Sequence, residues 1–272
     1  MESVTVRGVD VPALGLGTWK LRGNECRETV ETALDLGYRH IDTAAYYGNQ
    51  REIGDVIADS PVDREELFVT TKVRGSNLAA GDVRKSFANS REALGLDVVD
   101  LFLIHWPSSS VPITETIGAM NDLQSEGSLQ HIGVSNFSVP QLREAIEASK
   151  TPILTNQVEY HPFENRSDLL AFCIDHDVML TAYSPFDQGA SRVLDNDSLT
   201  EIGATYDKTP AQVALRWLIQ QEVVSAIPKA TSREHLASNV DIFDFELSDE
   251  EMAQLFDLQG GLVGRVRSAL GL

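Results

Sequence analysis

Cysteine, lysine and long apolar runs are what this 272-residue sequence has least of. Its two cysteines, Cys26 and Cys173, stand far apart with neither a C-x-x-C nor a metal-ligand spacing, which argues against a disulfide framework. Six lysines join 16 arginines against 41 acidic residues, for a formal net charge of −19. Nucleic acid and anionic membrane would meet a repulsive field, so neither is an expected partner. So much acid with so little lysine suits a protein kept soluble in concentrated salt, where the Debye length shrinks to roughly 3 Å at 1 M. Halophilic adaptation is therefore an expectation. No apolar run approaches membrane-spanning length, and the opening MESVTVRGVDVP lacks a signal-peptide pattern, so a cytoplasmic protein is expected. No Pro/Gly/Ser-rich linker divides the chain, and one domain over residues 1–272 is the expected organisation. HExxH, G-x-S-x-G and P-loop patterns are absent, and His40, His131, His161, His176 and His235 show no paired metal spacing.

What is present is enough apolar residue, 42%, to fill a large core, and a strong rhythm. VTVRGVDVP alternates around Gly8 as a small β-hairpin would. Eight short apolar runs follow, at 38–43, 66–72, 98–105, 131–136, 153–160, 178–184, 223–229 and 239–247. Between them lie amphipathic stretches with helix signals: Gly95 as a stop, Thr209 before Pro210, Ser248 with Glu251, and Asn49 with Glu52 ahead of Ile53, Val56 and Ile57. Eight strands alternating with helices over about 250 residues predict a (β/α)₈ TIM barrel preceded by an N-terminal hairpin. A doubly wound open sheet is the competing architecture. It needs a G-x-G-x-x-G turn, and GLGTWK at 15–20 has Lys20 where the third glycine belongs.

In such a barrel the chemistry gathers at the carboxyl ends of the strands. The first three runs end in Asp42, Lys72 and His105. Asp42 and Lys72 could simply form an ion pair that fills the barrel mouth, with His105 capping a strand. Taken together they also supply a tuned acid. A phenol of ordinary pKa ~10 gains acidity beside a lysine ammonium, and a carboxylate keeps that lysine charged despite burial. The loop after Asp42 offers two phenols, Tyr46 and Tyr47, and periodicity does not choose between them. A neutral His105 would orient a substrate carbonyl. A Schiff-base lyase built on Lys72 and a cofactor-binding regulatory subunit are the rival readings.

These residues sit inside a series of longer motifs: GYRHIDTAAYYGNQREIG at 37–54, HWP at 105–107, GVSNF at 133–137, NQVEYHP at 156–162, AYSP at 182–185 and IPKA at 227–230. In order and spacing the whole chain resembles the aldo-keto reductases, most nearly microbial enzymes of the 2,5-diketogluconate reductase and prostaglandin F synthase type. The resemblance implies a barrel that binds NADPH without a Rossmann fold and reduces small aldehydes, dicarbonyls or keto sugars, as a monomer. It implies that Tyr47 donates the proton, Lys72 lowers its pKa, Asp42 partners Lys72 and His105 orients the carbonyl. Ser135, Asn136 and Gln157 would hold the carboxamide, Tyr183 would stack on the nicotinamide, and Gly17, Thr18 and Trp19 would sit beside cofactor and substrate. Trp106 would wall the substrate pocket, and Ser184 and Pro185 begin the loop over the pyrophosphate, which reads YSPFDQG instead of the usual YSPLG. For the 2′-phosphate the family uses a lysine, a hydroxyl residue and an arginine six places after the lysine. Here Lys229 is followed by Ala230, His235 holds the arginine position, and Arg233, Ser232 and Asn239 stand near. NADPH is the expected cofactor, with NADH use plausible. The tail QGGLVGRVRSALGL at 259–272 would leave an open pocket.

Overall fold

The computed structural model describes residues 1–259; most of the tail expected above to leave an open pocket lies outside the described residues. Strands β1 (Ser3–Val6) and β2 (Val9–Pro12) pair antiparallel, Val6 opposite Val9. Arg7 (φ 52°) and Gly8 (φ 75°) both turn left-handed, the conformation a two-residue hairpin loop demands. Arg7 bonds the His176–Asp177 turn just ahead of a barrel strand, which puts the hairpin across the amino ends of the barrel. Val4, Val6 and Val11 are buried beneath it.

The barrel strands are β3 (Leu16–Gly17), β4 (His40–Asp42), β5 (Phe68–Val73), β6 (Val99–Ile104), β7 (Leu129–Ser135), β8 (Ile153–Glu159), β9 (Met179–Tyr183) and β10 (Val224–Ala226). They lie side by side in chain order, every pair parallel, as strand–helix–strand units require. The seam is closed by a parallel bridge from Leu14 to Ala226 and by Gly17 N–H donating to Pro228 O at 3.0 Å. Gly17 has to be glycine there, because a Cβ would come within 2.6 Å of the Ile227 carbonyl oxygen. Strands β5 and β6 are buried along their whole lengths, as strands of a parallel sheet covered on both faces should be, with Thr70, Thr71, Lys72 and Asp100 as their buried polar members.

The predicted count of eight is correct, but one member is not. Residues 239–247 form the end of a helix (Arg233–Val240), a turn over 241–244 and an irregular segment without a ladder partner. Phe245 and Leu247 alternate inward and Ile242 is buried as well, which is why the stretch resembles a strand. Its backbone is instead satisfied by helix side chains: Gln220 both donates to Leu247 O at 2.7 Å and accepts from Leu247 N at 2.9 Å, and Gln212 donates to Asp241 O. The true first strand, β3, is too short to show a period. Helix boundaries follow the sequence signals at Thr209, at Ser248 and at Gly95, the last with φ 64°. Asn49 differs. It precedes the helix Gln50–Asp59 without capping it, because its amide donates to Thr18 O and Leu21 O and accepts from Thr43 Oγ1.

Candidate active site

Asp42 ends β4, Lys72 lies one residue from the end of β5 and His105 follows β6, so adjacent strands bring the three together at the carboxyl face. Lys72 is fully buried and its ammonium donates to three oxygens: the Asp42 carboxylate, Thr43 O at 3.0 Å and the Tyr47 hydroxyl at 3.4 Å. Asp42 is buried as well, and its second oxygen accepts from Gln157 Nε2 at 2.7 Å. A buried charge pair is tolerable only when its remaining valences are filled, and Thr43, Gln157 and Tyr47 fill them. Tyr47 follows in a short 3₁₀ turn (Ala45–Tyr47) that Asn49 anchors, and its ring packs edge-on against His105 with centroids 5.7 Å apart. Tyr46, on the same turn, faces outward with Arg74 over its ring. Its phenol therefore has no contact with Lys72.

Burial works against the charge on Lys72, but Asp42 and Tyr47 outweigh it and its pKa lies above the ordinary lysine value. Burial raises the Tyr47 phenol, Lys72 pulls the other way and Asp42 adds to the rise. The net direction is up. The lysine acts in the expected sense, yet desolvation by the surrounding barrel mouth exceeds it. His105 is pushed down to about 4 by burial and then by Lys72, so it is a neutral imidazole near pH 7. A Lys72 with three acceptors and a raised pKa is a poor nucleophile, which counts against a Schiff base.

Gly17 lies opposite Asp42 in the β3–β4 register, and Thr18 Oγ1 donates to Asp42 O at 2.9 Å. Trp19 and Trp106 are both exposed beside the mouth. Ser135 Oγ donates to Gln157 O, Asn136 Nδ2 donates to His105 O and Ser135 Oγ, and Tyr183 Oη donates to Asn136 Oδ1 at 2.9 Å. The side chains of Ser135, Asn136 and Tyr183 thus form one hydrogen-bonded wall, tied to the Gln157 backbone carbonyl, against the catalytic candidates. Gln157 gives its N–H to Asp42 and presents its carbonyl oxygen at the same place, which suits a donor such as a carboxamide. Ser184 (φ 49°) and buried Pro185 start the loop after β9. Its departure to FDQG puts Asp187 in an ion pair with Arg192 and 3.8 Å from His161 Nε2. Glu159, His161 and Asp187 converge closely, but His161 Nδ1 accepts from Phe163 N, so Nε2 carries the proton and offers a metal no lone pair.

The phosphate-side candidates are looser. Lys229, Arg233 and His235 are exposed, and Asn239 is buried in the helix that Ser232 caps. Arg233 leans toward Asp35 at 3.8 Å, an exposed pair of little strength. A cleft of ≈900 Å³ opens beside the tetrad and not over it; it shares Trp106, Asn136 and Tyr183 but reaches none of Asp42, Tyr47, Lys72 and His105. Thr43 and Arg74 escaped the sequence, as did the role of Asn49 in tying the tyrosine turn to Thr18 and Leu21. Arg74 stands two residues after Lys72, and period-two alternation along the strand was a usable signal for it.

Residues 13–259 match the model of the aldo/keto reductase family, and the chain belongs to that family. It is 42% identical over 252 residues to a 9,11-endoperoxide prostaglandin H2 reductase of Trypanosoma cruzi, covering 92% of this chain and 88% of the relative. It is also 42% identical to a glyoxal reductase of Bacillus subtilis, with 91% and 89% covered. Among solved structures it is similar to MGS-M4, an aldo-keto reductase enzyme from a Medee basin deep-sea metagenome library, with TM-score 0.92, 38% identity and 96% of each chain covered. Such enzymes are oxidoreductases that act on carbonyls with nicotinamide cofactors.

Proposed function

We propose that this chain reduces aldehydes and ketones to alcohols with NADPH, Tyr47 giving the proton to the carbonyl oxygen. The observation that carries this reading is the unbroken line from Gln157 through Asp42 and Lys72 to the Tyr47 hydroxyl, with His105 against the same ring. When bound, the nicotinamide supplies the hydride. Ser135, Asn136 and Gln157 would hold its carboxamide, Tyr183 its ring face, Gly17 and Thr18 the near edge, and Ser184 and Pro185 the pyrophosphate. Lys229 would meet the 2′-phosphate, with Arg233, His235 and Asn239 around it. A neutral His105 N–H and the Tyr47 O–H hydrogen-bond the carbonyl oxygen and fix its position between them. As charge develops there, Tyr47 releases its proton, and the phenolate left behind is stabilised by the Lys72 ammonium. Asp42 holds Lys72 charged and in place throughout.

Trp19 and Trp106 form an open, aromatic mouth, which favours small aldehydes, dicarbonyls or keto sugars. A dicarbonyl fits the relative named a glyoxal reductase. An absorbance screen of NADPH oxidation over these classes tests the reading; tight NADPH binding with no carbonyl turned over would favour a regulatory subunit instead. Comparing kcat/KM for NADPH and NADH tests the cofactor, and a ratio near one would overturn the preference. The charge of −19 supports work in concentrated salt. Full stability in dilute buffer, unchanged by molar KCl, would contradict that.

A further inference from the structure

The chain leaves β5 at Arg74, two residues beyond Lys72, where the pleat returns side chains to the same side one step nearer solvent. Its guanidinium lies 4.4 Å from the centre of the Tyr46 ring, and that ring lies 6.3 Å from His105. The next residue, Gly75, is so close to Trp106 that a Cβ would come within 3.2 Å of the Trp106 carbonyl oxygen. Arg74 thus lies at the rim with its guanidinium on the Tyr46 ring, which in turn neighbours His105. In a chain with 41 acidic residues, nine of the described arginines, Arg27, Arg64 and Arg84 among them, are paired with carboxylates, and Arg22, Arg51, Arg91 and Arg143 are not. Among the described residues Arg74 enters no ion pair, although it is exposed and always charged. An unmatched planar cation stacked on a phenol, facing a reaction site in an otherwise acidic protein, is built to receive an anion bidentately.

We propose that Arg74 selects carbonyl substrates that carry a carboxylate several bonds from the carbonyl, binding that carboxylate at the rim while the carbonyl oxygen lies between Tyr47 and His105. The inference rests on the carbonyl-reductase reading of the same site. The stacking on Tyr46 limits the guanidinium's freedom, so little order is lost when the carboxylate binds.

The test uses matched pairs: 4-carboxybenzaldehyde with methyl 4-formylbenzoate, and succinic semialdehyde with its methyl ester. In Arg74→Ala the acid-to-ester ratio of kcat/KM falls about tenfold, mostly through the KM of the acid, as loss of uniform binding requires. Arg74→Lys, which keeps the charge without the planar fork, recovers only part of that ratio, a partial rescue that a merely structural role in packing Tyr46 would not produce. Raising KCl lowers the ratio in the wild type and leaves it flat in Arg74→Ala, since an exposed pair is screened. Turnover of both compounds with a ratio unmoved by Arg74→Ala, or a wild-type preference for the ester, overturns the role of Arg74 alone. No reduction of either compound by the wild type overturns the reductase reading, and this one with it.

Discussion

The two ends of the proposed cofactor groove are built by different physics. At the reacting end, on β4 to β8, Asp42, Lys72 and Gln157 are buried and joined by short, mutually dependent hydrogen bonds. At the phosphate end, after β10, Lys229, Arg233 and His235 stand in solvent, and Arg233 has only a 3.8 Å surface partner. A buried network fixes atoms to fractions of an ångström but fails as a unit when one member is lost. Exposed cations attract an anion without fixing it, and each can be lost at small cost. The chemistry is therefore expected to be intolerant of substitution, and cofactor choice to be tunable and salt-sensitive.

The strongest way to break this contrast is to remove the buried cation. Lys72→Met leaves Asp42 charged and largely unpaired in the barrel mouth, which should cost about 3–5 kcal/mol in urea unfolding. A cost below about 1 kcal/mol would mean the mouth is wetter and more adaptable than described. Next comes acid. His40 and His105 are held at about 4, burial being the main cause in both, against 6.5 for a free imidazole. Between pH 6.5 and 4 the unfolded chain binds more protons than the folded one, so stability falls as pH drops through that window. His40 alone contributes on the order of 3 kcal/mol. The decline should already be visible from pH 6.5 to 5, above the range of ordinary carboxylates; a flat unfolding midpoint there would contradict the burial of these rings. The smallest effects belong to the phosphate end. Lys229→Ala should raise the KM for NADPH about tenfold with kcat and the KM for NADH little changed, and Arg233→Ala should alter either KM by no more than about twofold. Equal losses for both cofactors in Lys229→Ala would mean that Lys229 supports the fold and not the phosphate.

How much of this was readable in advance follows the same division. The buried elements announce themselves: β4, β5 and β6 within short apolar-rich runs, and Asp42, Lys72 and His105 as the polar residues at or next to their ends. Three of the four helix signals quoted from the sequence hold, because a Thr, Ser or Gly at a helix end has a local job. Asn49 looks like a cap but is used in three dimensions, tying the tyrosine turn to Thr18 and Leu21, and no local rule reveals that. Residues 239–247 carry a strand's alternation without a strand's partner, since Gln220 and Gln212 supply the hydrogen bonds from a neighbouring helix. The direction of the Tyr47 shift was beyond the sequence for a related reason. A lysine neighbour can be inferred from strand order, but the depth of burial that outweighs it is a property of the whole barrel mouth.

The choice between the two adjacent phenols is the most direct test of the account, since Tyr47 lies 3.4 Å from Lys72 while Tyr46 faces outward under Arg74. Tyr47→Phe and Tyr46→Phe should be compared in single-turnover oxidation of bound NADPH by a good aldehyde substrate, with cofactor affinity measured alongside. The account predicts a loss of about 10²- to 10⁴-fold for Tyr47→Phe with NADPH still bound, and rates within a few-fold of wild type for Tyr46→Phe. Near-wild-type turnover in Tyr47→Phe, or collapse in Tyr46→Phe alone, would contradict it.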